Sequence, residues 1–283
     1  MSETAAGTLF LVATPIGNLE DISLRALRVL READLVAAED TRHSSKLLHH
    51  YDIRRPTTSL HEHNEFEKVP ELVEQLRCGA RIALVTDAGT PSVSDPGYRL
   101  VRAAIDAGVR VEAIPGPSAV LAALVSSGLP TDAFVFAGFP PPKSTARTAW
   151  LEVFRTDRRT VVFFEAPHRI RETLADALRV LGDREIVLGR ELTKLHEELV
   201  RGPISSVLSR LGDPRGEFTV VLAGMSDDTA NVSEQTTDNQ LLTEFGRLTE
   251  NGLSRREALS ELASRHRLRS REVFAAIDRA RRS

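Results

Sequence analysis

Short apolar runs separated by amphipathic stretches of helical length constrain this chain more than any other feature. The runs are Leu9–Ala13, Leu35–Ala38, Ile82–Val85, Val109–Ile114, Phe134–Ala137, Thr160–Phe164, Glu185–Leu188 and Phe218–Leu222. Between them lie segments such as SLRALRVLRE (23–32), VPELVEQLR (69–77), YRLVRAAIDAG (98–108) and RIRETLADALRVLG (169–182). Strands alternating with helices predict an α/β fold with a largely parallel sheet. The runs lack polar alternation, which predicts strands buried on both faces. With 283 residues the chain is long enough for two domains.

Two segments interrupt the pattern. PGPSAVLAALVSSGLP (115–130) reads as a hinge followed by a helix of small residues, dividing an α/β lobe over 1–116 from a second over 117–225. SDDTANVSEQTTDNQ (226–240) is polar and aperiodic, so a linker is expected over 226–235 and a helical domain over 236–283. In that domain Ser254 and Ser270 are candidate N-caps, and Leu259/Leu262/Ala263 and Val273/Phe274/Ile277 are apolar faces at helical spacing. Residues 254–283 hold nine Arg against four acidic residues, while the chain as a whole has net charge −3. Affinity for a polyanion is therefore expected to be local to this tail.

Three predicted strand ends carry turns of small residues: ATPIGNLED (13–21), TDAGTPSVSDPG (86–97) and IPGPSA (114–119). Ligands of open α/β sheets bind beyond the carboxyl ends of strands. Glycine there lets a ligand approach the backbone closely. There is no G-x-G-x-x-G after the first strand, no G-x-x-x-x-G-K-[ST] and no G-x-S-x-G. A dinucleotide fingerprint, a P-loop and a hydrolase elbow are thus missing. Several such turns converging on one edge would build a groove walled by backbone amides and carbonyls, which suits a small polar ligand.

The segments LFLVATPIGNLEDISLRALRVL, EDTRHSSKLL, SLHEHNE, VTDAGTPSVSDPG, IPGPSA, VFFEAPHRI and GRELTKLHEELVRG occur in this order. Together they resemble the ribosomal RNA small subunit methyltransferase I family, a branch of the tetrapyrrole methylase-like (class III) methyltransferases. The resemblance covers roughly residues 8–224 and extends to the tail. It implies a two-lobed α/β fold with a small C-terminal all-helical domain, S-adenosylmethionine as cofactor in the cleft between lobes, and a homodimer. The reaction implied is 2′-O-methylation of a cytidine ribose in the decoding region of 16S rRNA in the small ribosomal subunit. The cofactor turns carry over as Pro15; Ala88, Gly89, Thr90 and Val93; Ser118 and Ala119; Glu165 and Ala166; and Leu192. Ala88-Gly89-Thr90 stands where the tetrapyrrole branch has Gly-Gly-Asp, so one carboxylate is missing from that loop.

Methyl transfer to a hydroxyl needs in-line alignment and a route for the hydroxyl proton. Glu165 ends an apolar strand and is a candidate base or orienter of the ribose; His168 and Lys194 are the other candidates, and the acceptor stays open among them. His196 also belongs to the cleft-lining candidates. Arg42 and Lys46, four residues apart, share a helix face and can grip phosphates, while Asp40 or Thr41 can cap that helix. His61, Glu62 and Asn64 are candidate base or ribose contacts, and Arg169 binds a phosphate or pairs with Glu165. Arg255, Arg256 and Arg267 are the tail's candidate RNA contacts. His61 and His63 lack a third ligand by spacing, so no metal is expected.

One cysteine, Cys78, allows no intrachain disulfide. With no apolar run long enough to span a membrane and no basic leader, the expected setting is cytoplasmic. The competing functions are a small-molecule methyltransferase acting on a tetrapyrrole and a non-catalytic ribosome-assembly factor. The basic tail and the EDTR and HEHNE clusters speak against the first, and the intact turns against the second.

Overall fold

The computed structural model describes residues 7–225, 238–250, 253–265 and 270–282. The chain forms two compact units, residues 1–224 and 225–283. The first holds two five-stranded sheets.

The first sheet contains β1 (Thr8–Val12), β2 (Leu35–Ala38), β3 (Thr57–Ser59), β4 (Arg81–Val85) and β5 (Arg110–Ile114), in the order β3-β2-β4-β1-β5. Every pairing is parallel. Successive residues of one strand serve opposite cores. Ala83 and Val85 pack under α1 (Leu24–Glu32) and α2 (Thr41–His50), while Ile82 and Leu84 pack under α3 (Glu65–Arg77) and α4 (Tyr98–Asp106). This two-sided burial is why the runs lack polar alternation. Helix α1 buries Ala26, Leu27, Val29 and Leu30 and turns its arginines outward. The hydroxyl of Ser23 caps it, accepting from Ala26 N at 3.1 Å.

The second sheet contains β6 (Phe134–Phe136), β7 (Thr160–Glu165), β8 (Glu185–Arg190), β9 (Glu198–Pro203) and β10 (Phe218–Leu222), in the order β6-β7-β10-β8-β9. It departs from the parallel expectation. Only β6 and β7 run parallel, and β10 is antiparallel to both its neighbours, as β9 is to β8. The loop 191–197 is too short for a crossover and forces the β8–β9 hairpin. Strand β9, ELVRGP, is absent from the apolar runs because it is an exposed edge. Strand β3, TTS, is an edge as well. Helices α5 (Ala119–Ser127), α6 (Ser144–Glu152), α7 (Ile170–Leu181) and α8 (Ile204–Arg210) cover this sheet. Ile16, from the turn after β1, is buried in the cluster formed by α5 and the second sheet, together with Leu192. Burying such a side chain contributes about 1.5–3 kcal/mol, so this contact helps hold the two sheets together.

The second unit has α9 (Asp238–Glu250), α10 (Arg255–Arg265) and α11 (Ser270–Arg282) around Leu241, Phe245, Ala258, Leu262, Val273 and Ile277. The expected helix pair thus has a further helix, α9, before it. Ser254 caps α10 in a reciprocal box: its hydroxyl accepts from Glu257 N at 3.3 Å, and Glu257 Oε2 accepts from Ser254 N at 2.9 Å. Ser270 is the first residue of α11 rather than its cap. Phe274, expected on the apolar face, is exposed. The expected linker over 226–235 lies outside the described residues. Among the described residues, no helix is long and apolar enough to cross a membrane.

Candidate active site

Strands β1 and β4 are neighbours, yet the chain leaves β1 toward β2 and leaves β4 toward β5, on opposite sides. A crevice opens at such a reversal. The turns that follow are tied together there. Thr14 N donates to Gly89 O at 2.8 Å, and Gly89 N to Thr14 O at 3.0 Å. Thr14 Oγ1 donates to Thr86 O at 3.1 Å, and Thr90 Oγ1 to Pro117 O at 3.4 Å. Gly89 has φ +83°, a conformation that disfavours any side chain. Ser118 caps α5, its hydroxyl accepting from Leu121 N at 3.4 Å.

Two loops share an unusual backbone. Ser92 (φ 67°) and Ser94 (φ 62°) bracket Val93; Glu191 (φ 50°) and Thr193 (φ 66°) bracket Leu192. Left-handed residues other than glycine cost on the order of 1–3 kcal/mol each and concentrate at functional sites. Both bracketed apolar side chains line the same cleft. The loop 191–194 closes against the turn after β1, where Asn18 N donates to Thr193 Oγ1 at 3.1 Å. A β-carbon at Gly17 would run into Lys194 Cγ and lie 2.8 Å from Thr193 Oγ1.

The cleft has a volume of about 590 Å³. Ala88, Gly89, Thr90, Val93, Ser118, Ala119, Glu165, Ala166 and Leu192, all singled out from the sequence, line it. Pro15 does not; its neighbour Ile16 does. One wall is aromatic, with the Phe164 ring 5.0 Å from Phe136 and 5.4 Å from Phe139, centroid to centroid.

The candidates for proton transfer fare differently. Glu165 is buried, and both carboxylate oxygens are engaged. Oε1 accepts from Ala166 N at 2.8 Å and faces Arg169 Nη2 at 2.5 Å, and Oε2 accepts from Thr173 Oγ1 at 2.6 Å. Three donors thus engage this carboxylate at the turn from β7 into α7, where it also lines the cleft. Arg169 is the partner of Glu165 rather than a free phosphate ligand. His168 is exposed and does not line the cleft. Lys194 Nζ lies 3.0 Å from both Glu191 Oε1 and Glu217 Oε2. Partial burial pulls its pKa down, but the hydrogen bonds and charges of Glu217 and Glu191 outweigh that and hold it above the ordinary lysine value. Burial likewise favours the neutral form of Glu191, and the bonds from Lys194 and from Glu217 N win, holding it ionised. Lys194 is thus a clasp held protonated, unsuited to accept a proton. His196 is exposed.

Arg42, Lys46, His61, Glu62 and Asn64 follow β2 and β3 on the same sheet edge but do not line the cleft. Asp40 caps α2, and the Arg42 guanidinium and N–H beside it hold its carboxyl well below the usual range. Arg42 and Lys46 are both exposed. Asn64 is spent on its own turn: Oδ1 accepts from His61 N at 2.8 Å and Nδ2 donates to Ser59 O at 3.1 Å. Glu62 is exposed; His61 is half-buried and stacks edge-on against His63 at 5.9 Å. Arg255 and Arg256 are exposed on α10, and Arg267 lies outside the described residues.

Sequence reasoning missed three carboxylates and the aromatic wall. Glu39, Asp87 and Asp95 all line the cleft. Each sits inside a motif already quoted, EDTR or TDAGTPSVSDPG, but their convergence depends on the pairing of β2 with β4. Thr86 Oγ1 donates to Glu39 Oε2 at 3.1 Å, and Asp40 N donates to Asp87 Oδ1 at 3.2 Å. Burial, with added repulsion from Glu39 and Asp87, pushes Asp95 up to about 6 against an opposing hydrogen bond from Thr86. Among the described residues no three metal-ligating side chains are placed to hold a metal ion.

A family model described as Tetrapyrrole (Corrin/Porphyrin) Methylases matches residues 8–208. A Synechocystis protein named Ribosomal RNA small subunit methyltransferase I is 44% identical over 272 residues, covering 95% of this chain and 96% of that one. A Pseudomonas aeruginosa protein of the same name is 50% identical over 225 residues, covering 78% of this chain and 80% of its own. Among solved structures, uroporphyrin-III-C-methyltransferase from Thermus thermophilus superposes with a TM-score of 0.54 at 22% identity, covering 76% of this chain and 94% of that one. That likeness bears on the fold.

Proposed function

Because the chain belongs to the tetrapyrrole methylases and, within them, to the ribosomal RNA small subunit methyltransferase I family, we propose that it transfers a methyl group from S-adenosylmethionine to a cytidine 2′-oxygen in the decoding region of 16S rRNA. The observation that carries this is the convergence of Ala88–Thr90, Val93, Ser118, Ala119, Ala166 and Leu192 on one cleft. The names of the relatives supply the RNA.

The cleft residues fit the cofactor. The turns bring backbone amides and carbonyls to its edge without bulky side chains, Phe136, Phe139 and Phe164 offer flat apolar surface, and Glu39 and Asp87 complement positive charge on a sulfonium and an ammonium. When bound, the cofactor supplies an electrophilic methyl group. Ala88–Thr90, Ser118, Ala119 and Ala166 would hold it, and Val93 and Leu192 would exclude water around it. Most of the chain's contribution is alignment, which is worth up to about 7–11 kcal/mol of barrier in well-oriented systems. Arg42, Lys46 and the arginines of the helical unit meet phosphates outside the cleft. The same proposal makes the partner the small subunit, the working form a homodimer, the compartment the cytoplasm, and the lobes 1–116 and 117–225 the two walls.

The test is transfer of labelled methyl to small subunits that lack their own ribose methylation, with free 16S RNA and a tetrapyrrole alongside. Label on a cytidine 2′-oxygen in the subunit supports the proposal. Label on the tetrapyrrole, or none, overturns it.

A further inference from the structure

We propose that the RNA backbone runs away from the cleft along α2, on the face of the first sheet covered by α1 and α2, with Arg28, Lys46 and Arg55 as phosphate contacts beyond Arg42; this rests on the methyltransferase reading of the cleft.

Charge is the first argument. The chain carries net charge −3, yet α2 has no acidic residue and holds Arg42, Lys46 and three histidines. Helix α1 has three arginines against one glutamate, and Arg54 and Arg55 follow α2. The opposite face of the same sheet differs. There α3 has four glutamates against Lys68 and Arg77. A phosphate backbone is therefore attracted to one face of the sheet and not to the other.

Geometry is the second. Arg42, Lys46 and His49 recur at i, i+4 and i+7 and are all exposed, so they form one outward stripe about 10 Å long. The stripe begins beside Asp40, whose N–H donates to Asp87 Oδ1 at the wall of the cleft. It ends toward Arg54 and Arg55, at the opposite edge of the sheet, where β3 begins. Arg31 Nη2 donates to Tyr51 O at 3.4 Å, so the side of α1 that carries Arg28 and Arg31 faces α2. Arg25, on another side of α1, reaches Glu112 of β5. The basic surface is thus two helices wide.

Availability is the third. Arg42 is engaged by Asp40 at 2.7 Å, and Arg31 by the Tyr51 carbonyl. Arg54 lies 3.7 Å from Asp52, with both side chains almost wholly exposed. Among the described residues Arg28, Lys46 and Arg55 have neither an ion pair nor a hydrogen bond, and all three are exposed. A phosphate that meets them displaces no internal partner.

The experiment uses the full chain and small subunits. Retention is measured over a salt series for wild type, Arg28→Ala, Arg55→Ala, the double variant and Arg77→Ala, with cofactor affinity measured by calorimetry. Arg28→Ala and Arg55→Ala are each expected to weaken retention about threefold to tenfold and to lower the slope of log affinity against log salt by about one, and the double variant by about two. Cofactor affinity is expected to stay at the wild-type value, because neither residue lines the cleft. Arg77→Ala removes the same charge from the α3 face and is expected to bind like wild type. Unchanged slopes in Arg28→Ala and Arg55→Ala, an equal fall in Arg77→Ala, or lost cofactor binding in Arg28→Ala or Arg55→Ala each overturns the track while leaving the methyltransferase reading intact. Wild type that is retained but transfers no methyl group overturns that reading, and the slopes still decide the track. Wild type that is not retained even at low salt overturns both.

Discussion

Glu165 and Arg169 form an ion pair 2.5 Å apart across the turn from β7 into α7, and the carboxylate side chain has no exposed surface. The pair holds the lip of the cleft, which Glu165 lines. Removing one partner of a buried pair leaves the other charge uncompensated, at a cost of about 3–5 kcal/mol. Arg169→Ala is therefore expected to lower the unfolding free energy by about that much. Glu165→Gln keeps a side-chain carbonyl for Ala166 N and should cost less. Urea unfolding of both variants checks the order, and equal losses would count against it.

Gly17 marks the contact between the turn after β1 and the loop 191–194. Its substitution by Ala would drive a methyl into Lys194 and Thr193. Overpacking of this kind costs about 1–3 kcal/mol. The strain falls on the loop that places Leu192 in the cleft. Gly17→Ala should thus weaken cofactor binding roughly tenfold or more while the chain stays folded. Calorimetry beside thermal unfolding separates the two effects, and unchanged affinity would contradict the expectation.

Arg42 and Lys46 lie on the exposed face of α2. Exposed ion pairs contribute little to stability, so Arg42→Ala and Lys46→Ala should unfold like wild type. If each side chain meets one RNA phosphate, each substitution lowers the slope of log affinity against log salt by about one. Retention on small subunits over a salt series reads this directly. The same series with Arg255→Ala and Arg256→Ala tests the helical unit.

Asp95 carries a stability signature of its own. Its folded pKa, about 6, lies above the ordinary value of 3.8. The folded state therefore binds a proton more tightly than the unfolded one, and this group's stabilising contribution, fully present below about pH 4, is lost as pH rises through 6. Asp95→Asn removes the buried charge. It should melt above wild type at pH 7.5, and that advantage should shrink as pH falls toward 4. Melting curves at several pH values suffice, and an advantage that grows on acidification would refute the sign.

Much of the frame was legible because it rests on local signals. Burial on two faces writes itself as unbroken apolar runs, so Ile82–Val85 and Phe218–Leu222 are strands where the runs lie. Edge strands carry no such mark, and ELVRGP reads like a loop. Serine or aspartate before a helix is a capping signal that needs no tertiary knowledge, and Ser118, Asp40 and Ser254 cap α5, α2 and α10. The glycine-rich turns were legible as cleft-lining for the same reason, since a left-handed turn such as that at Gly89 narrows the choice of residue wherever it occurs.

Which polar side chains are free was not legible. Glu165, Lys194 and Asn64 have the right chemistry at the right strand ends, but the fold binds Glu165 to Arg169 and Thr173, Lys194 to Glu191 and Glu217, and Asn64 to Ser59 and the His61 backbone. Asp95 looks like one more turn residue until β2 and β4 pair and bring Glu39 and Asp87 beside it. The sequence by itself determined the α/β elements, their caps and the turns bare enough to admit a ligand, because those depend on neighbours a few residues away. Only the tertiary structure decided which carboxylates are neutralised and which face the cleft, because the desolvation and charge that set a group's acidity come from residues distant along the chain.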